Sequence, residues 1–493
     1  MKKFLIAFLA FGSVQGFAQK AANPSAYARS ISADDLKKHL YIVASKEMAG
    51  RETGTEGERK AAAYIESQFR RIGLQPGNNG SYQMYFDVFQ DSVTGAGLEV
   101  NGKAFEMDRD FNVTPTSTAA VMRFSEVVVL GPDAADSVKN LSLAGKAVLL
   151  LPGQATGNRP AGGSLSSILS GKGVAAVFTI GNYPRTAPAS RKGGQSMSSF
   201  KRSVSPQGFS VSEAVAKAII GADYDQQKSN KSLVKTYGAN LLLDVRKTVL
   251  TMKSSNVIGV LPGTDLKDEY LFVTAHHDHI GQRDTVINYG ADDDGSGTVS
   301  VMEIAEAFAK AKAEGKGPRR SIVFMTVSGE EKGLWGSDYY TSNPIFPLDK
   351  TTADLNIDMI GRIDPKRTQG DSLNYVYVVG DDKLSSDLRT ISEAANKKYT
   401  KLELDYKFND PNDPMRIYFR SDHYNFAKNG VPIIFYFNGT HADYHRPGDT
   451  PDKINYPLMA KRAQLVFYTA WEMANRNEML KRDIPLQVPA RPM

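Results

Sequence analysis

Apolar and polar positions recur with different periods along this chain, and each period predicts a different kind of structure. Near the N-terminus the period is helical. Leu36, Leu40, Ile42 and Val43 follow Asp34-Asp35, a pair able to cap a helix. Ala62, Tyr64, Ile65, Phe69 and Ile72 mark a second helix that starts near Ala61 and stops at Gly73. Gly50, Gly54 and Gly57 break the link between the two. From about 85 to 245 the stretches shorten and become β-rich, as at Val127–Leu130 and Ala147–Leu151, with helices expected near Ser164–Gly171 and Ser212–Ile220. Between these lies 182–207, polar, basic and rich in Gly, Ser and Pro. It has no apolar period and is expected to be a long mobile loop.

After Asn256 the pattern becomes strand, loop, helix, repeated. Strands are predicted at Asn256–Val260, Tyr270–Ala275, Ser321–Val327, Asp354–Ile357, Tyr375–Val379 and Pro432–Phe437. Helices are predicted at about 296–312, 335–342, 383–398, 421–429 and 456–475. Apolar strands alternating with amphipathic helices imply an α/β fold: a mixed, mostly parallel sheet flanked by helices.

Length changes the picture by requiring two or three domains, since 493 residues exceed one ordinary core. With 41% hydrophobic and 23% charged residues, the composition is that of a globular protein. Lys2 and Lys3 precede an apolar run from Phe4 to Phe11, followed by the small residues Gly16 and Ala18. This predicts a signal peptide over 1–18, cleavage after Ala18, and export to the periplasm or the extracellular space. No later stretch approaches about 20 continuous apolar residues, so no membrane span is expected in the mature chain. The chain has no cysteine, which excludes disulfides, thiol catalysis, acylation on cysteine and Cys-based zinc sites. A formal charge of +6, lowered by two when Lys2 and Lys3 leave, is dispersed in isolated pairs such as Lys37-Lys38 and Arg319-Arg320. It gives no nucleic-acid footprint.

Metal-ligand residue types then gather at or just beyond the predicted strands: His276-His277-Asp278, Asp292-Asp293-Asp294-Gly295-Ser296-Gly297, Glu330-Glu331, Asp358 and Tyr444-His445. In open α/β sheets, ligands bind beyond the carboxyl ends of the strands. Imidazole nitrogens and carboxylates suit a pair of zinc ions, since a carboxylate can bridge two metals about 3.5–4 Å apart. The chain therefore reads first as a metal-dependent hydrolase. In extended backbone i and i+2 share a face, so His276 and Asp278 are expected to act together while His277 and His279 point elsewhere, into surface or supporting positions. The Asp292–Asp294 run lacks the alternating acid spacing of a calcium loop. It also suits the positive end of the helix that begins with Val299, Val301, Met302 and Ile304. Of the adjacent Glu330 and Glu331, one can bind metal while the other serves as base. Ser421-Asp422-His423 is not read as a nucleophilic triad, because consecutive residues are poorly placed for one and no G-x-S-x-G elbow is present.

Taken in order, A-H-H-D-H, G-A-D-D-D-G-S-G, G-E-E-K-G-L-W-G-S, N-I-D-M-I-G-R, S-D-H and Y-H-R-P-G-D-T-P-D-K-I resemble the M28 family of zinc peptidases, which includes secreted bacterial aminopeptidases. The front segment A-G-R-E-T-G-T-E-G is similar to that family's N-terminal part. The resemblance covers roughly 30–90 and 250–475 and implies a zinc exopeptidase fold. It implies two Zn²⁺ per chain, with His276, Asp293, Glu331, Asp358 and His445 as ligands and Asp293 bridging. It also implies Glu330 as general base and acid, Asp278 as the group orienting His276, Tyr444 as a stabiliser of the tetrahedral oxyanion, and a cis peptide at Asp293–Asp294. The stretch from His276 to Asp293 is longer than in compact relatives, which suggests a loop that shapes the substrate pocket.

The middle segment, through Leu143–Leu150 and Gly171–Val177, resembles an inserted protease-associated domain. This gives expected bounds of 25–90 and 248–480 for the peptidase domain and 91–247 for the insert. The insert is expected to border the active site, with 182–207 as a lid. The implied function is a secreted dinuclear aminopeptidase acting on peptides with a free N-terminus. A related exopeptidase or carboxypeptidase, a single-zinc glutaminyl cyclase and a non-catalytic peptide-binding protein are the competing readings.

Overall fold

The computed structural model describes residues 23–153, 165–184, 190–200 and 205–486. The expected signal peptide therefore lies outside the described residues, as do 185–189 and 201–204 of the expected lid. The chain divides into two compact units, one formed by the segments up to Tyr85 and from Ser255 onward, the other by Phe86–Ser254.

In the first unit, four parallel strands lie in the order Ile433–Phe437, Thr351–Ile357, Leu266–His276, Arg320–Val327. The end of Val234–Leu261 pairs antiparallel with Arg320–Val327 on one side, and Tyr375–Val379 pairs antiparallel with Ile433–Phe437 on the other. Leu271–His276 and the other three parallel strands are buried along both faces, hence their run of β-branched and aromatic residues. Leu271, Val273, Ala275, Leu355 and Ile357 face a core closed by helices Ala33–Val43, Gly297–Ala313 and Tyr456–Asn475. Phe272, Val323, Met325 and Phe435 face the opposite core, with Tyr340 and Phe426 from helices Trp335–Ser342 and His423–Lys428. Helix Ala33–Val43 is capped by Ser32, whose hydroxyl accepts the Asp35 N–H, rather than by the Asp34-Asp35 pair. No helix among the described residues is long and apolar enough to cross a membrane.

The second unit is built on parallel strands Ala120–Leu130, Ala147–Leu150, Ala176–Ile180 and Gln207–Val211, edged by Phe111–Val113. Its core joins Phe111, Phe178 and Phe209 to Val127, Val129 and Leu149. The chain enters through Gln83–Val100 and leaves through Val234–Leu261, two long strands the sequence reading missed. The loop expected over 182–207 is corrected in part. Lys192–Ser196 forms a strand on Phe89–Ser92, with Gly193 lying close to the Pro115 carbonyl and the Asp91 side chain.

Candidate metal centre

All four parallel strands end at the same edge of the sheet, and each hands a polar residue to the space beyond it. His276 closes its strand, Glu330 and Glu331 follow Val327 after a Ser-Gly turn, Asp358 follows Ile357, and Phe437 leads by a loop to Tyr444 and His445. Gly329 makes the turn at φ +80°, a conformation open to glycine, and it also sits against Trp335.

The three consecutive aspartates divide their work. Asp292 accepts the Gly361 N–H at 2.7 Å and the Ser296 hydroxyl at 3.1 Å, with His441 Nε2 at 3.2 Å from its other oxygen. Asp294 accepts N–H groups from Gly297, Met359 and His276 at 2.8, 3.0 and 3.1 Å, capping the following helix and tying two strand ends to it. A Cβ on Gly297 would run into that carboxylate. Asp293, joined to Asp294 by a cis peptide bond, alone turns into the centre. Its backbone N–H is held by Asp449, from the Y-H-R-P-G-D segment.

The two oxygens of Asp293 face different partners. Oδ1 lies 3.4 Å from His276 Nε2, which is in turn 3.7 Å from Asp358 Oδ1. Oδ2 lies 3.0 Å from His445 Nε2, itself 3.0 Å from Glu331 Oε2. Glu330 sits between the pairs, 3.9 Å from His276 Nε2. All five expected ligands and Glu330 are thus brought together. Asp278 approaches His276 Nδ1 chiefly through its backbone carbonyl, at 3.1 Å, with its carboxylate at 3.6 Å. That carboxylate accepts the Thr53 hydroxyl at 2.7 Å and the Glu330 N–H at 3.2 Å, so it braces the Glu330 turn as well.

His279 departs from expectation. It is fully buried and turned inward, with Nδ1 2.7 Å from Glu331 Oε1 and 3.8 Å from Asp293 Oδ2. His277, expected at the surface or in a supporting role, is buried against Glu58 at 3.2 Å. Two triads, His276 with Asp294 and Asp358 and His279 with Asp293 and Glu331, bring donor atoms within 4.8 Å of one another. Asp294 already spends both oxygens on backbone N–H groups, which leaves His276 and Asp358 as the free donors of the first. Ser421, Asp422 and His423 diverge to Asn356, Ser337 and the Tyr418 carbonyl, so no nucleophilic triad forms.

Electrostatics fit a site for cations. Burial would raise the Asp293 carboxyl, but His276 and His445 hold it well below the usual range. Burial works against protonating His445, yet Asp293 and Glu331 push its imidazole up to about 10. Burial, reinforced by Glu331 and Asp358, drives the Glu330 carboxyl well above its ordinary value. His276 Nε2, both nitrogens of His279, Asp293 Oδ2 and Glu331 Oε1 are buried and make no well-aligned hydrogen bond, although His279 Nδ1 and Glu331 Oε1 approach to 2.7 Å and Asp293 Oδ2 and His445 Nε2 to 3.0 Å. Buried nitrogen and oxygen donors left unpaired around excess carboxylate are what divalent metal ions satisfy.

Residues far away in sequence hold these loops. Arg51 is fully buried and donates to the carbonyls of His277, Val43, Tyr289 and Gly290 at 2.8–2.9 Å, stapling the loop after His276 to the one before Asp292. Arg462, buried in the last helix, donates to Ile360, Arg362 and Tyr375 carbonyls and braces the segment after Asp358. Beside the centre is a pocket whose lining combines the acidic Asp293, Glu330 and Asp358, the apolar Met359, Ile417, Phe435 and Phe437, and the polar Arg420, Thr440 and Tyr444.

Residues 256–470 match peptidase family M28. A probable leucine aminopeptidase from Arthroderma otae is 30% identical over 232 residues, which is 46% of this chain and 59% of that protein. A probable zinc metalloprotease from Pyricularia oryzae is 28% identical over 267 residues, 45% of this chain and 50% of the other. The chain thus spans half to three-fifths of the length of these curated relatives. Among solved structures, an aminopeptidase from Aneurinibacillus sp. strain AM-1 superposes with a TM-score of 0.56 at 18% identity, covering 94% of this chain and 99% of that one. A zinc aminopeptidase from Bacillus subtilis gives 0.55 at 19% identity, covering 92% and 99%. These two share the fold.

Proposed function

We propose that this protein is an exported dinuclear zinc aminopeptidase that releases residues from peptides with a free N-terminus. One observation carries the reading: the two oxygens of Asp293 are each engaged by a separate histidine–carboxylate pair, with Glu330 between them. His276 and Asp358 would hold one zinc, His445 and Glu331 the other, and Asp293 would bridge. The family match over 256–470 and the names of the curated relatives support the assignment.

Zinc in such a site polarises a carbonyl and lowers the pKa of a water. The chain's own residues do the rest. Glu330 takes the proton of the attacking water and returns it to the leaving amine, a task suited to a carboxyl whose proton affinity burial has raised. Asp278 and Thr53 keep the Glu330 turn in place. Tyr444, in the pocket lining, donates its hydroxyl to the oxyanion that forms at the scissile carbonyl. The apolar lining of Met359, Ile417, Phe435 and Phe437 receives the N-terminal side chain and excludes water. Residues 91–247 are assigned to an insert of the protease-associated type, and residues 1–18 to the export signal.

The test is zinc per chain on purified protein, assayed in parallel on aminoacyl-nitroanilides, N-blocked peptides and a glutaminyl peptide. Two zincs with release only from free N-termini are expected. One zinc with cyclisation would move the protein to glutaminyl cyclases, and cleavage of N-blocked peptides to carboxypeptidases or endopeptidases. No metal and no turnover would leave a binding protein.

A further inference from the structure

Among the described residues that line the pocket beside the centre, Arg420 is the one cation. Its backbone is fixed on both sides. Ile417 and Tyr418 before it and Ser421 after it are buried, and its N–H is held by the Ile417 carbonyl at 3.0 Å. Ser421 accepts the Asn356 amide at 2.9 Å, which locks the turn to the strand that carries Asp358. From this anchored turn the guanidinium reaches out to the Tyr444 hydroxyl, with Nη2 at 3.1 Å from the phenolic oxygen. The Tyr444 ring is stacked on the imidazole of His445, centroids 3.9 Å apart, so its direction is set as well.

The polarity of this hydrogen bond has a consequence. A guanidinium carries donors only, and a phenol carries one proton. The Tyr444 oxygen must therefore accept from Arg420, and its own proton must point away from the guanidinium. We propose that Arg420 is a positioning residue that fixes the Tyr444 hydroxyl as a hydrogen-bond donor toward the reacting carbonyl. Without it, the hydroxyl is free to turn its proton onto a neighbouring carboxylate or water and present a lone pair to the oxyanion. The inference rests on the aminopeptidase reading and adds to it the residue that makes Tyr444 act in one sense only.

Side chains at 420 separate this role from mere packing. Lysine is also donor-only, though shorter. Glutamine keeps a polar side chain that can bond to the phenol but offers an acceptor too, so it does not impose a direction. The experiment measures kcat and KM on leucyl-nitroanilide and on a leucyl dipeptide for wild type, Tyr444→Phe, Arg420→Gln, Arg420→Lys and the double variant Arg420→Gln/Tyr444→Phe. Melting temperature and zinc content are followed alongside. Tyr444→Phe is expected to lower kcat about a hundredfold, the effect of losing one oxyanion donor. Arg420→Gln should lower kcat about tenfold with KM within about twofold, and Arg420→Lys should recover part of that loss. The double variant should fall within about twofold of Tyr444→Phe alone, because residues acting through one hydrogen bond are non-additive.

Losses that multiply in the double variant would overturn the proposal, as would full activity in Arg420→Gln. A rise in KM confined to the dipeptide would instead make Arg420 a binder of substrate carboxylate and would also overturn it. A wild-type protein that binds two zincs but fails to release leucine would remove the aminopeptidase reading itself, and the proposal with it.

Discussion

The two sides of the centre are built from the same residue types but on different supports. On the inner side, His276 ends one buried strand and Asp358 follows the next, and both are buried. On the outer side, His445 comes from a loop, has φ +56° and leaves 38% of its side chain exposed, while its partner Glu331 sits in the short turn after Val327, with His279 Nδ1 2.7 Å from its carboxylate. The inner pair is positioned by strand register and the outer by loop geometry. Rigid elements hold a ligand more precisely than loops do, so the two sides should differ in how firmly they retain a metal.

The sharpest test leaves both sides intact and removes what stands between them. Glu330→Gln should lower kcat by about a thousandfold, within the range of a lost general base, while zinc per chain stays at two. A variant that loses metal as well would show that Glu330 is a ligand. Next in size is metal removal. Stepwise dialysis against a chelator, followed by metal analysis, should strip one ion per chain before the other. His445→Ala should bind one zinc firmly, whereas Asp293→Asn should bind neither well. Simultaneous loss of both ions from the wild type would erase the distinction between inner and outer sides.

Arg51 offers a smaller but cleaner handle on the inner side. Arg51→Met leaves several buried carbonyls without a donor and should destabilise the metal-free protein by roughly 3 kcal/mol, read from urea unfolding. A loss below half that would mean that water replaces the guanidinium. The smallest effect concerns the layer beneath Asp358. Burial, aided by Lys383 and only partly opposed by the bond to the Tyr418 carbonyl, holds His423 down to about 3. Unfolded histidine titrates near 6.5, so between about 3 and 6.5 the unfolded chain takes up a proton that the folded chain refuses, and stability falls as pH drops. Asp422, which burial pushes up to about 7, acts in the opposite sense over the overlapping range. The difference between wild type and His423→Gln isolates the histidine. The variant should lose less stability from pH 6.5 to 4, and parallel curves would place the acid sensitivity elsewhere.

Much of the site could be read from the chain because strand ends announce themselves: an apolar run stops and a ligand type follows, as at Ile357-Asp358. The error at His279 has a definite cause. Two-residue alternation holds inside a strand, but Leu266–His276 ends at His276, and by His279 the chain has turned to bridge Glu52. The polar face Asp354, Asn356, Asp358, joined to Thr274, was a readable alternation that went unread. Arg51 was not readable, because three of its four carbonyl partners lie 226–239 residues away and a buried charge has no local signature. Val234–Leu261 was hidden by its many exposed positions, and Gln83–Val100 by a half-buried middle of polar and glycine residues.

The brace by Arg462 has a bearing on when the site is complete. A chain is made from its N-terminus. Arg51 is available from the start, the ligands follow over 276–445, and the residue that ties down the segment beyond Asp358 comes last of all. A growing chain therefore lacks this brace until helix Tyr456–Asn475 has been made. One cut short between His445 and Arg462 would contain every metal-binding group and still lack the clasp that sets one of them.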